Sequence, residues 1–292
     1  MSYRRELETA IEAAREAGAI LRHWYTVGTE HWEKSEDNPL TIADLESDRA
    51  IARRLRAAFP DDALLSEETA DDPTRLRKER VWIVDPMDGT KEFTKKIPEF
   101  GVSIALVEAG EPVVGVIFNP VAGGAATGGA GSDGVAAVGP GVAVWASRGG
   151  GCFRDGERVS VSRVERLADA VVIASRTEIS RSQFAPYEGW FKELRPVGSI
   201  AWKLACIACG AGDLNVSVAP KNEWDVCAGD LLVREAGGVY VGFDGATRSY
   251  NQEKTLIEAG MVAGPRALVE AFNAREAARA RRAGAPKAQR TR

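Results

Sequence analysis

Trp82-Ile83-Val84-Asp85-Pro86-Met87-Asp88-Gly89-Thr90-Lys91-Glu92-Phe93 is the stretch that decides how this chain folds and what it can do. Three apolar residues drive a strand into a point where two carboxylates, a glycine and a hydroxyl emerge together. A buried strand end carrying Asp-x-x-Asp concentrates negative charge, which is costly unless a cation or strong donors offset it. Oxygen ligands on that spacing suit a hard divalent ion, Mg²⁺ above all, which takes a few carboxylates and leaves room for water and phosphate. The same residues also fit a plain turn, with Pro86 fixing one dihedral and Gly89 supplying another.

Two further acidic segments weigh against the plain turn. Glu67 and Glu68 follow the apolar run Ala63-Leu64-Leu65-Ser66, which reads as a short strand ending in paired carboxylates. Asp225 follows Trp224 and opens Val226-Cys227-Ala228-Gly229-Asp230-Leu231-Leu232-Val233-Arg234-Glu235-Ala236, an amphipathic helix that Gly237-Gly238 terminates. An isolated Asp at a helix start is more often an N-cap, and that role stays open for Asp225.

Together these segments resemble the lithium-sensitive, Mg²⁺-dependent phosphomonoesterase superfamily of inositol monophosphatases, fructose-1,6-bisphosphatases and 3′(2′),5′-bisphosphate nucleotidases. The resemblance runs from about Thr41 to about Gly260. It rests on Asp-Pro-apolar-Asp-Gly-Thr at residues 85–90, on Trp224-Asp225 with its Ala228-Gly229 and the following Glu235-Ala236-Gly237-Gly238, and on Thr41-Ile42-Ala43-Asp44 and Ser66-Glu67-Glu68, in the family's order.

The resemblance implies that Glu67, Asp85, Asp88 and Asp225 hold two or three Mg²⁺ ions, with the Met87 carbonyl as another ligand. Ions held there bridge phosphate oxygens, acidify water and neutralise the leaving alkoxide. Thr90 would hold the attacking water and Asp44 would complete its activation, directly or through Thr90. Glu67, Thr90 and Asp44 all stay open as the group that takes the proton. The amides of Gly89 and Thr90 would cradle the phosphate at a helix start.

Substrate choice follows from the same resemblance. Lys91-Glu92-Phe93 after Asp-Gly-Thr, and Gly198-Ser199 followed by Lys203, are similar to the bisphosphate nucleotidase branch, where a lysine on that helix helps bind the nucleotide's phosphate. The inositol branch has a glutamate seven residues before the Trp-Asp aspartate, where this chain has Val218. The expected activity is removal of the 3′-phosphate of adenosine 3′,5′-bisphosphate, inhibited by Li⁺. The alternative is an inositol-1-monophosphatase or a broad sugar-phosphate phosphatase with the same chemistry. The expected partner is a small phosphorylated substrate, and a homodimer stays open.

Composition agrees with a soluble enzyme. The 292 residues, 45% hydrophobic and 27% charged, suffice for one large core or two moderate ones. No apolar run reaches the roughly 18 residues of a membrane span. The charged start Met1-Ser2-Tyr3-Arg4-Arg5-Glu6 lacks a secretory h-region, and four cysteines then point to a reducing cytoplasm. Residues 273–292 carry seven Lys or Arg against one Glu, a local +6 in a chain of net −4. That composition reads as a basic, disordered tail rather than a nucleic-acid arm.

The chain reads as α/β: a layered α-β-α-β-α sandwich with the metal site between two lobes, the first over 1–150 and the second over 151–272. Helices are expected over 3–27, 44–59, 180–194 and 200–209, besides the one that Asp225 opens, and strands near 63–66, 81–85, 101–108, 112–118, 158–162, 171–175, 213–218 and 238–243. The glycine-rich stretch 121–151 reads as a mobile excursion between strands. Cys152 and Arg158 have the Cys-x5-Arg spacing of thiolate phosphatases, but Asp155 and Glu157 would place negative charge in the anion cradle, and Asp155-Gly156 signals a hairpin turn. Cys206 and Cys209 lack the second pair that a zinc site needs and read as small helical thiols.

Overall fold

The computed structural model describes residues 3–35, 38–123, 139–258 and 260–284. In chain order the elements are α1 (Arg4–Val27), β1 (His31–Ser35), β2 (Asn38–Thr41), α2 (Ile42–Ala58), β3 (Ala63–Ser66), β4 (Arg80–Asp88), α3 (Thr90–Thr94), β5 (Gly101–Glu108), β6 (Glu111–Asn119) and β7 (Val142–Ser147). They continue as β8 (Gly151–Arg154), β9 (Glu157–Val159), β10 (Val171–Ser175), α4 (Arg176–Ser180), β11 (Glu193–Val197), α5 (Ile200–Ala208), β12 (Leu214–Ser217) and β13 (Lys221–Asn222). The last are α6 (Glu223–Glu235), β14 (Val239–Gly242), β15 (Leu256–Ile257), β16 (Met261–Gly264) and α7 (Arg266–Gly284).

Strand alternation explains the layering. Along β4, Trp82 and Val84 face α1 and α2, where they meet Ala14, Leu21 and Leu55. Val81 and Ile83 face the other way, onto Leu204 of α5 and Leu231 of α6. Burying each such side chain is worth about 1.5–3 kcal/mol, so a shift of register by one residue is heavily penalised. The β3-β4-β5-β6-β7-β8-β9 sheet therefore lies between two helical layers. Behind α5 and α6 stands the second sheet, ordered β11-β10-β12-β16-β14, whose far face packs Val172, Leu214 and Val262 on Leu268 and Phe272 of α7. This is the expected α-β-α-β-α sandwich.

At Gly115 the β6 backbone passes close to α6. A Cβ placed there would stand 2.9 Å from the Ala228 carbonyl oxygen, so glycine lets the Asp225 helix lie flat on the sheet.

Several expectations need correction. The first sheet runs on to Val159, because β8 and β9 form a hairpin on its edge across the Asp155-Gly156 turn. Both turn residues have positive φ, as a tight hairpin of this kind requires. The strand expected over 158–162 is therefore shorter and earlier. The excursion expected over 121–151 includes β7, which pairs with β6 from Asn119↔Val142 to Val114↔Ser147, while residues 124–138 lie outside the described residues. The helix expected over 180–194 is replaced by α4, a single 3-10 turn at Ala185–Tyr187 and β11. There Phe184, Tyr187 and Trp190 converge on Phe272, and Pro186 and Gly189 do not suit a continuous helix. The tail expected to be disordered from 273 is helical through Gly284, with Leu268, Val269 and Phe272 anchoring the start of α7; residues 285–292 lie outside the described residues. Among the described residues no helix is long and apolar enough to cross a membrane.

Candidate active site

Asp85 and Asp88, three residues apart, would leave a regular strand on opposite faces. The β4–β5 register shifts between them, from Asp85↔Ser103 to Asp88↔Gly101, and this bulge turns both toward one cleft. Asp85 Oδ1 accepts from the Met87 amide at 2.9 Å, and Gly89 then takes φ 98°, a left-handed conformation, to start α3.

Glu67 arrives from the end of the neighbouring parallel strand β3, and Asp225 from the first turn of α6. One carboxylate oxygen from each of Glu67, Asp85 and Asp225 lies within 4.8 Å of the others. Burial pushes Asp85 well above the usual carboxylate range, and the charges of Glu67, Asp88 and Asp225 add to that. Burial likewise raises Asp225, followed by the charges of Asp88 and Glu67. Such mutual destabilisation among hard oxygen donors is what a divalent cation relieves, so the residues present fit Mg²⁺.

Asp88 stands at the edge of this group. Its Oδ2 accepts from Ser199 Oγ and from the Ala201 amide, both at 2.6 Å, which ties β4 to the start of α5. Met87, expected to lend its carbonyl, has a buried side chain in the core, and its carbonyl oxygen lies 3.3 Å from Thr90 Oγ1.

Asp225 is the third residue of α6, not its N-cap: the Asn222 amide donates to its Oδ2 at 2.6 Å. Asp44 has the matching place in α2, where its Oδ2 accepts from the Thr41 amide and Thr41 Oγ1, both at 2.7 Å. Each aspartate thus spends one oxygen on a capping box and keeps the other. The second oxygen of Asp44 accepts from Thr90 Oγ1 at 3.1 Å. Asp44 is only 1% exposed, and burial raises its carboxyl to about 6 against the opposing hydrogen bonds from Thr41 and Thr90.

The cleft encloses about 290 Å³ and brings together every residue expected at the site except Asp44, which stands behind Thr90. Gly89, Thr90 and Lys91 line one wall, and Gly198, Ser199 and Lys203 another. The Gly198 amide, however, donates to Glu99 Oε2 at 2.7 Å, and Ser199 Oγ is engaged with Asp88. Lys203 is 3% exposed, with Nζ 3.3 Å from the Val197 carbonyl. Burial depresses its ammonium, and the charge of Asp88 is the largest influence sustaining it.

Sequence reasoning missed Ser175, Thr177, Lys221 and Asn222 in the lining, and Glu178 beside it. Glu178 Oε2 accepts from the Val218 amide at 3.2 Å, so a carboxylate reaches the neighbourhood of Val218 from a different element. A lone Lys221 ahead of Trp224-Asp225 carries no spacing signal, and Glu178 falls between the strand expected over 171–175 and the helix expected over 180–194. The thiol decoys are structural. Cys152 is buried on β8 with its thiol pushed far up by burial, and burial raises Cys206 and Cys209 to about 12 and about 11.

Comparison with known proteins agrees with this geometry. The inositol monophosphatase family profile matches residues 3–281. An inositol monophosphatase from Mesembryanthemum crystallinum is 30% identical over 280 residues, covering 92% of this chain and 96% of its own. The 3′(2′),5′-bisphosphate nucleotidase CysQ of Salmonella typhimurium is 31% identical over 261 residues, covering 87% and 97%. The crystal structure of the extragenic suppressor protein suhB from Bartonella henselae superposes with a TM-score of 0.77 at 26% identity, covering 92% of this chain and 96% of that one. The chain belongs to the inositol monophosphatase family of phosphatases.

Proposed function

We propose that this phosphatase is Mg²⁺-dependent and removes the 3′-phosphate of adenosine 3′,5′-bisphosphate by attack of water. The observation that carries the proposal is the packing of Glu67, Asp85 and Asp225 against one another beside the Thr90–Asp44 hydrogen bond, in a cleft also lined by lysines.

Glu67, Asp85 and Asp225 would hold the divalent ions, with Asp88 and the Met87 carbonyl at their margin. Bound there, the ions supply charge neutralisation for phosphate and leaving oxygen and a lowered pKa for water. The chain's own part is orientation and proton handling. Thr90 Oγ1 has one proton, and donating it to Asp44 turns its lone pairs toward the cleft, where they accept from a water. With its carboxyl raised to about 6, Asp44 can accept a proton near neutral pH, and Thr90 is the relay. Because α3 is only five residues long, Gly89 and Thr90 would contribute amide hydrogen bonds to the phosphate rather than much helix dipole.

Lys91, Lys203 and Lys221 along the cleft favour a substrate with two phosphates. A second reading, inositol-1-monophosphatase, is favoured by Glu178, which brings a carboxylate beside Val218 from another element. Phosphate release from adenosine 3′,5′-bisphosphate and inositol-1-phosphate, measured side by side with Mg²⁺ and then with Li⁺, separates the two. A kcat/KM at least about tenfold higher for the nucleotide is expected. A preference for inositol-1-phosphate would overturn the nucleotide assignment and leave the chemistry standing.

A further inference from the structure

Lys203 and Lys221 both line the cleft, yet their surroundings differ in kind. Lys203 is buried, with Nζ 3.3 Å from the Val197 carbonyl. Lys221 leaves β13 and turns back so that Nζ stands 3.0 Å from Glu178 Oε1, with its side chain 15% exposed and that of Glu178 4%. Glu178 is held from every side. Ser217 Oγ and the Ala219 amide donate to Oε1, and the Val218 amide to Oε2, at 3.2–3.3 Å. A carboxylate so constrained cannot swing into the cleft, and it keeps the lysine from doing so freely.

We infer that Lys221, clamped by Glu178, is the specificity-determining residue that receives a second anionic group of the substrate, while Lys203 stays buried on the Val197 carbonyl. The inference rests on the phosphomonoesterase function proposed above. Besides Glu178, Nζ contacts the carbonyls of Ala219 at 3.1 Å and Pro220 at 3.3 Å. The Pro220 contact is the longest of the three and the one open to solvent, so it is the one a phosphate oxygen would displace in exchange for a charge-assisted bond. A lysine that only neutralised Glu178 would have no need to face the cleft. What faces a ligand is therefore the Lys221 ammonium rather than the Glu178 carboxylate, which favours bis-anionic phosphate esters over neutral polyol phosphates.

Adenosine 3′,5′-bisphosphate and adenosine 3′-monophosphate differ only in the 5′-phosphate, so their kcat/KM ratio isolates the second anion. The full-length protein with Mg²⁺ is expected to prefer the bisphosphate. Lys221→Met should cut that preference about tenfold or more, through KM rather than kcat, and should raise the Ki of the product adenosine 5′-phosphate in step. Because Lys221→Met leaves Glu178 unpaired, the double variant Lys221→Gln, Glu178→Gln, which keeps a neutral hydrogen-bonded pair, should show the same loss. A preference that survives in both variants would overturn the inference, as would its loss in Lys203→Met instead. A wild-type protein that does not distinguish the two nucleotides would refute the bisphosphate assignment itself, before any variant is made.

Discussion

Thr90 Oγ1 stands 3.1 Å from Asp44 Oδ1, which links the start of α3 to the capping box of α2. A buried carboxylate can only accept from this hydroxyl, so the direction of the hydrogen bond is fixed, and with it the side of Thr90 that faces the cleft. Thr90→Val, which keeps the shape and removes the relay, should lower kcat about 10²–10⁴-fold with little change in KM. Asp44→Asn can still accept from Thr41 and so should keep the helix start; a comparable fall in kcat at near-normal Tm is expected. Steady-state kinetics with circular-dichroism melting checks both. Wild-type turnover in either variant would remove the pair from the mechanism.

The crowded carboxylates make stability depend on pH in an unusual direction. For Asp44, Asp85 and Asp225 the folded pKa lies above the unfolded value near 3.8, so above that pH the folded state holds more protons than the unfolded one. Stability of the metal-free protein from these groups then falls as pH rises, for Asp44 between about 3.8 and about 6, and for the other two in the same direction. Divalent ions bind the ionised carboxylates, so saturating Mg²⁺ should raise Tm more at pH 8 than at pH 5.5. At a concentration a hundredfold above Kd the gain is about 2.7 kcal/mol, or roughly 5–10 °C. Differential scanning fluorimetry with and without Mg²⁺ at the two pH values measures it, and an equal shift at both would contradict the coupling.

Gly115 connects the fold to the site at a distance. Gly115→Ala would push its Cβ against the Ala228 carbonyl and lift α6, with Asp225 at its start, off β6. The expected cost is about 1–3 kcal/mol of stability, together with weaker Mg²⁺ binding. Urea unfolding and a Mg²⁺ titration on the same preparation would show the two moving together; lost stability with unchanged Mg²⁺ affinity would mean that α6 carries no such strain to Asp225.

What the sequence revealed depended on how local the signal was. β4 and its emerging Asp85, Asp88 and Thr90 were legible because apolar run, proline and glycine punctuate one contiguous stretch. The helix start at Asp225 was legible because Trp224-Asp225 opens, and Gly237-Gly238 closes, one contiguous amphipathic stretch. The bulge between Asp85 and Asp88 was not, since it shows only in the pairing with β5. Residues 180–194 misled because Phe184, Tyr187 and Trp190, whose spacing of three suggests a helix, instead bury themselves on α7 from a chain of turns. Central strand β16 was missed because Met261–Gly264 is too short to alternate, and it is held by neighbours β12 and β14 that lie far off in sequence. Lys221 and Glu178 meet across 43 residues, and nothing in either local stretch announces the pair.

Direct binding of Mg²⁺ tests the central claim, that Glu67, Asp85 and Asp225 form a cation site, without depending on any substrate. Isothermal titration of metal-stripped wild-type protein at pH 8 should show saturable binding, and Asp85→Asn and Asp225→Asn should each weaken it at least about tenfold while circular dichroism stays native. Undiminished binding in both folded variants would contradict the assignment and send the search for the metal elsewhere in the chain.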